Sequence, residues 1–216
     1  MKVVIGDIHG CFDELMELLE KIGPGENDEI IALGDIVDRG PASDKVVNFF
    51  MNAKNARTLM GNHERKHYRY SIGKSPIHRS QLLAVEQFKK AGMDYNRILD
   101  FFKNLLLYIE LPEAILAHAG LIYGIPLEQQ EEKILAGSGF HYAHRTGASG
   151  LPLWCESYPM GAKSVIFGHL SLRVSIPCRN LWPLDTACCR GGLLTAVTLP
   201  DWRIFQVKAR KDYWAD

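Results

Sequence analysis

Apolar positions along the first sixty residues switch between two periods. Lys2 to Ile5 form a short continuous run that reads as a buried strand ending at Gly6. Phe12, Leu15, Met16, Leu19 and Ile22 then recur at helical spacing, and Gly23-Pro24 stops the helix. Glu29 to Leu33 give a second strand with Gly34 opening its turn. Val46, Val47, Phe49 and Phe50 mark a second helix, and Ala56 to Met60 a third strand. This rhythm is βαβ architecture, and it sets three polar turns at three strand ends.

Residues from about 64 to 104 read as helical and rather polar, a helical insertion within one domain expected to span 1–216. From Leu105 the pattern changes to strands: LLLYIEL, AILAHAG, SVIFGHL, a pair around Val174 and Trp182, GLLTAVTL and WRIFQV. A second sheet follows from them. Gly137 to Gly161 is the longest irregular stretch, and long loops in compact domains often line sites.

Composition narrows the class. With 216 residues, 47% hydrophobic and 23% charged, the chain can bury a core without disulfides. Lys plus Arg and Asp plus Glu balance at 25 each, so bulk charge argues for neither a nucleic acid partner nor an acidic membrane surface. Local charge decides instead. The start, MKVVIGDIHG, enters a strand directly and offers neither a signal segment nor a membrane span, which predicts a cytoplasmic protein. Five scattered cysteines without a C-x-x-C argue against a disulfide framework and a thiolate zinc site. The adjacent Cys188 and Cys189, placed on a strand, would point to opposite faces.

The polar turns carry the chemistry. Asp7, Asp35 and Asn62 stand at nearly equal intervals, each just past the end of an expected strand, and right-handed crossovers bring such ends side by side. His9 shares the turn of Asp7, while His118 and His169 follow the apolar runs AILAHAG and SVIFGHL. Two carboxylates, an amide oxygen and three imidazoles form a sulfur-free set that suits Mn²⁺, Fe or Zn²⁺. A bridging carboxylate, expected at Asp35, would hold two ions roughly 3.5 to 4 Å apart. Any one of these histidines alone is better read as a core residue; their joint occurrence in glycine-marked turns favours metal. His67, His78, His141 and His144 lack such support and are read as surface or loop residues. His63-Glu64-Arg65-Lys66-His67 also matches H-E-x-x-H, the zinc protease signature. That reading leaves Asp7, His9, Asp35 and Asp38 unexplained.

Together, GDIHG at 6–10, GDIVDRG at 34–40, GNHE at 61–64, His118 in HAG and His169 in GH resemble the phosphoprotein phosphatase branch of the calcineurin-like metallophosphoesterases. Bacterial and phage serine/threonine phosphatases and the symmetrical diadenosine tetraphosphate hydrolases look closest. The resemblance runs from Lys2 to about Val207, with DTACCRGGLLTAV similar to the closing strands of those proteins. It implies an α/β fold, the four-layer α/β/β/α metallophosphoesterase sandwich, and a dinuclear centre with Mn²⁺ the expected ion. Asp7 and His9 would bind one metal, Asn62, His118 and His169 the other, and Asp35 both. A metal-bridging hydroxide would attack phosphorus in line, with His63 as general acid and Asp38 orienting it. Arg39 would hold phosphoryl oxygens, and Arg145, by position in the loop before His169, would be the second phosphate arginine; the alternative is that Trp154-Cys155-Glu156 occupies that family segment, where no Arg stands.

The segments that would set substrate choice, 64–104 and 121–162, match the family only loosely, so several substrate classes stand open. A phosphorylated protein is the first expectation, which would make the chain a serine/threonine phosphatase. A small phosphate ester such as diadenosine tetraphosphate is the runner-up, followed by nucleic acid ends and, outside catalysis, a metal-binding interaction module. One departure is noted: Ala187 stands where related bacterial sequences commonly carry Gly.

Overall fold

Alternate residues of the first strands part to two cores. A computed structural model describes residues 1–138, 153–171, 177 and 180–215. In it β1 (Lys2–Ile5) pairs in parallel with β2 (Glu29–Ala32), and β2 with β3 (Ala56–Thr58). Val3, Ile5, Ile30 and Ala32 face a cluster shared with helices, whereas Val4, Ile31 and Leu33 enter a second cluster lined by the other sheet. The period of two thus makes each strand a partition between layers.

Two antiparallel strands from the end of the chain complete the first sheet: β8 (Leu193–Leu199) lies beside β1 and β9 (Arg203–Lys208) beside β8, in the order β3-β2-β1-β8-β9. The second sheet has the order β4-β5-β6-β7, from Tyr108–Glu110, Ala114–Ala117, Ser164–Phe167 and Leu181–Pro183. Its β5, β6 and β7 run parallel. Leu116 and Ile166 face the first sheet, while Ile115, Ala117, Val165 and Phe167 face an outer cluster with Leu135, Trp154 and Tyr158.

Helices cover both outer faces. On the first sheet lie α1 (Phe12–Ile22) and α2 (Ser43–Asn52), joined by Phe88 of α4 (Arg79–Lys90) and Phe102 of α5 (Tyr95–Lys103). On the second sheet lie the short α6 (Glu132–Leu135) and α7 (Leu153–Ser157). The architecture is the four-layer α/β/β/α sandwich expected from the motifs. Between β3 and α4, α3 (Asn62–Ser71) starts after a connection of three residues, Leu59, Met60 and Gly61.

The Val174 segment of the proposed strand pair lies outside the described residues, and Trp182 sits on β7. Cys188 and Cys189 occupy a turn, not a strand, and both face the helix-side core, so the opposite-face expectation is corrected. In that turn Ala187 has φ 62°, in the left-handed region where a Cβ is unfavourable. The common glycine at this position therefore has a backbone reason. No helix among the described residues is long and apolar enough to cross a membrane.

Candidate metal centre

Five strand ends meet at one edge of the sandwich. β1 leads to Asp7 and His9, β2 to Asp35, β3 to Asn62, β5 to His118 and β6 to His169. The turns are tightly wound: His9, Asp35, Asp38, Arg39 and His169 all have positive φ, between 47° and 74°. Left-handed conformations of L residues cost roughly 1–2 kcal/mol each and persist only where surroundings hold them.

The holding contacts are visible. His9 N donates to Asp35 O at 2.8 Å and Gly10 N to Ile36 O at 3.0 Å, which ties the first two turns together. Gly61 packs so closely on Asp35 that a Cβ would overlap Asp35 Oδ1. Glu64, fully buried, accepts the backbone N–H groups of Asp35, Ile36 and Gly61, each at 2.9 Å. One carboxylate thereby locks the second turn to the third. Sequence reasoning assigned Glu64 no such role, although Glu at the third position of a helix is a capping signal.

Around the turns two groups of ligand-capable atoms lie within 4.8 Å of one another: His9, Asp35 and His63, and Asp35, His118 and His169. Asp35 is common to both. Its carboxylate stands 3.5 Å from His9 Nε2 and 3.5 Å from His118 Nε2. Asn62 Oδ1 lies 3.1 Å from His118 Nε2 and 2.8 Å from His169 Nδ1. Asp7 is in neither group; its carboxylate accepts the backbone N–H of His169 at 3.1 and 3.2 Å.

The ring nitrogens are oriented for a cation. His9 Nδ1 donates to Val37 O at 2.9 Å and His118 Nδ1 to Leu33 O at 3.1 Å, leaving each Nε2 as a lone pair toward Asp35. Either end of the Asn62 amide can face His118, His169 and Asp35: the NH₂ would donate to them, and the oxygen would be a ligand for a cation held there. The residues fit divalent metal.

Charge at the site agrees. Burial, with repulsion from Asp185 and Asp35, pushes the Asp7 carboxyl well above its usual range. Burial likewise raises Asp185, and burial with the Asp35 charge pushes Glu64 up to about 8. Burial opposes ionisation of Asp35 too, but His118, His63 and His9 outweigh it and hold that carboxyl low. Burial and the Arg39 charge lower His9, which keeps its imidazole neutral as a ligand must be. Buried carboxylates gathered with imidazole nitrogens form a donor set that cations would stabilise. Asp185, which the sequence reading did not single out, stands past the end of β7, in the same strand-end position as the other acids.

Beside this group a second network is built on Asp38. His63 Nδ1 donates to Asp38 Oδ2 at 2.6 Å, and His63 Nε2 is buried without a partner, 4.0 Å from Asp35 Oδ2. His67 Nε2 donates to Asp38 Oδ1 at 2.9 Å, with the Tyr95 hydroxyl 2.8 Å from Nδ1. Ser80 Oγ also donates to Asp38, at 3.2 Å. His67 is fully buried, which corrects its reading as a surface or loop residue. Its signal was the spacing of four from His63, which places both rings on one face of α3. Replacing His67 with Leu should leave Asp38 short of a donor and cost about 1–3 kcal/mol, read as a lowered melting temperature of the metal-free protein.

Arg39 Nη1 donates to His9 Nε2 at 2.8 Å and so stands at the cluster. Arg145, with His141 and His144, lies outside the described residues.

The family profile for calcineurin-like phosphoesterases matches residues 3–173. The bis(5'-nucleosyl)-tetraphosphatase PrpE [asymmetrical] of Halalkalibacterium halodurans is 30% identical, over 96% of this chain and 94% of its own. The protein of that name from Oceanobacillus iheyensis is 28% identical, over 100% of this chain and 96% of its own. A crystal structure described as that of a candidate diadenosine tetraphosphatase superposes with a TM-score of 0.75 at 24% identity, covering 96% of this chain and 93% of that one.

Proposed function

This chain belongs to the calcineurin-like phosphoesterases, and from that premise we propose that it hydrolyses dinucleoside polyphosphates, cutting diadenosine tetraphosphate off centre. The observation that carries the reading is the near full-length match to relatives named as asymmetrical tetraphosphatases. A serine/threonine phosphatase was the first expectation from the motifs, and those names favour its runner-up. The motifs had suggested the symmetrical hydrolases; the relatives carry the opposite qualifier.

In this reading Asp7 and His9 would hold one divalent ion, Asn62, His118 and His169 the other, and Asp35 would be shared between them, with Mn²⁺ as the activating ion. The ions supply Lewis acidity at the phosphoryl oxygens and an activated water. His63 is the general acid: its unpartnered Nε2 faces the cluster while Asp38 holds Nδ1 and so sets the tautomer. Arg39 offers a two-pronged donor to the phosphoryl oxygens. His9 Nε2, which accepts from Arg39 Nη1 at 2.8 Å, cannot serve a guanidinium and a cation together, so with an ion bound the Arg39 donor would be free for phosphoryl oxygens.

The test is turnover of metal-stripped, Mn²⁺-reconstituted protein with diadenosine tetraphosphate and with a phosphoserine peptide, followed by nucleotide analysis. Chelator-sensitive release of equal AMP and ATP is expected. Two ADP per substrate would indicate central cleavage, and faster turnover of the peptide would restore the protein phosphatase reading.

A further inference from the structure

The chain is electroneutral, yet its positive charge is gathered beside the metal centre. A cleft of about 790 Å³ opens from Asp35, Asn62 and His169 and is lined by six cationic side chains: Arg39, Arg65, Lys66, Arg69, Lys133 and Arg190. Among its described lining residues Asp35 is the one carboxylate. Two of them already have carboxylate partners outside the lining, Arg65 with Glu132 at 2.6 Å and Lys133 with Glu131 at 2.7 Å, so the repulsion that a bound anion would relieve falls mainly on Arg39, Lys66, Arg69 and Arg190.

Their arrangement has a direction. Arg65, Lys66 and Arg69 belong to α3, the helix whose first turn carries Asn62 and His63. At 1.5 Å rise per residue they extend from the centre for roughly 10 Å along one wall. Lys133 of α6 and Arg190 of the turn before β8 supply other parts of the lining. Ser75 also lines the cleft, and its hydroxyl is buried with no hydrogen-bond partner. A single phosphoryl group at the metals would reach Arg39 and leave the farther cations unused.

We propose that the α3 cations, with Lys133 and Arg190, form a track for the phosphates beyond the one attacked, and so select polyphosphate chains over lone phosphoryl groups. This deepens and rests on the dinucleoside polyphosphate reading. It also accounts for the polar run after GNHE: ERKHYRY turns His67 inward to Asp38 and its cations toward the cleft.

The experiment compares the Mn²⁺-loaded protein with the double variant Lys66→Ala/Arg69→Ala. The readout is the ratio of kcat/KM for diadenosine tetraphosphate to that for p-nitrophenyl phosphate. Loss of two charge-assisted phosphate contacts should lower this ratio by roughly tenfold to a hundredfold, mainly through KM. Equal effects on both substrates, or none on the dinucleotide, would overturn the track. A second arm stands apart from the proposed activity: inhibition of nitrophenyl phosphate hydrolysis by inorganic tripolyphosphate against orthophosphate. Wild type should favour tripolyphosphate by at least tenfold, a preference that collapses in the double variant. If the dinucleotide is not cleaved but this preference holds, the function falls and the track stands; no preference in wild type removes the track.

Discussion

Asp35→Asn is expected to abolish turnover in practice, by at least about a thousandfold, because the change removes several kcal/mol of charge stabilisation at a dinuclear site. Asp35 is the residue common to both ligand groups, 3.5 Å from His9 and from His118. The fold should survive. Asn retains an oxygen for the His63 N–H that Asp35 Oδ1 accepts at 2.9 Å, and the neighbouring turn remains tied by Glu64. Metal content by elemental analysis should therefore drop in a protein whose circular dichroism is unaltered. Two ions per chain with wild-type turnover would refute the bridging role.

The second large effect is expected at His63, and it should depend on the leaving group. His63→Gln keeps a polar side chain but cannot carry the proton that His63 Nε2 would deliver; general acid catalysis is worth about 10² to 10⁴ in rate. The full loss should appear with phenyl phosphate, whose departing oxygen is basic. It should shrink with p-nitrophenyl phosphate. Diadenosine tetraphosphate should resemble the latter, since a phosphate leaving group with a second pKa near 6 needs little protonation. Metal content should stay at the wild-type level. A uniform loss across the three substrates would remove the acid role and leave His63 as a metal-site or structural residue, consistent with its place in the group of His9 and Asp35.

This dependence bears on the polyphosphate reading. A site specialised for good leaving groups can tolerate a buried acid whose protonation is unfavourable. Burial lowers His63 against the opposing pull of Asp35 and Asp38. Selection would then act more on holding the chain of phosphates than on proton delivery, which is where the cleft concentrates its charge.

Much of the molecule was legible from residue order. Short continuous apolar runs at Lys2 to Ile5 and Glu29 to Leu33, with a helical stripe between them, point to a parallel βαβ unit, because strands of such a sheet are buried on both faces and the connecting helix on one. Glycine-bounded turns at the strand ends then mark Asp7, Asp35 and Asn62 as neighbours, since crossovers of one hand leave little choice of placement. The apolar runs AILAHAG and SVIFGHL placed His118 and His169 at strand ends in the same way, and the family motifs supplied the division of ligands between two ions.

Three other properties required the tertiary structure. His67 looked like part of a solvated run, and its burial depends on Phe88, Tyr95 and Phe102 folding over α3, contacts made across sequence separations that local pattern does not encode. Glu64 became a lock only when β2 and β3 lay side by side and brought three N–H groups to one carboxylate. The basic cleft was invisible in a balanced composition. Charge adds along the chain without regard to position, whereas a field depends on distance, and only the packed fold determines which cations stand together.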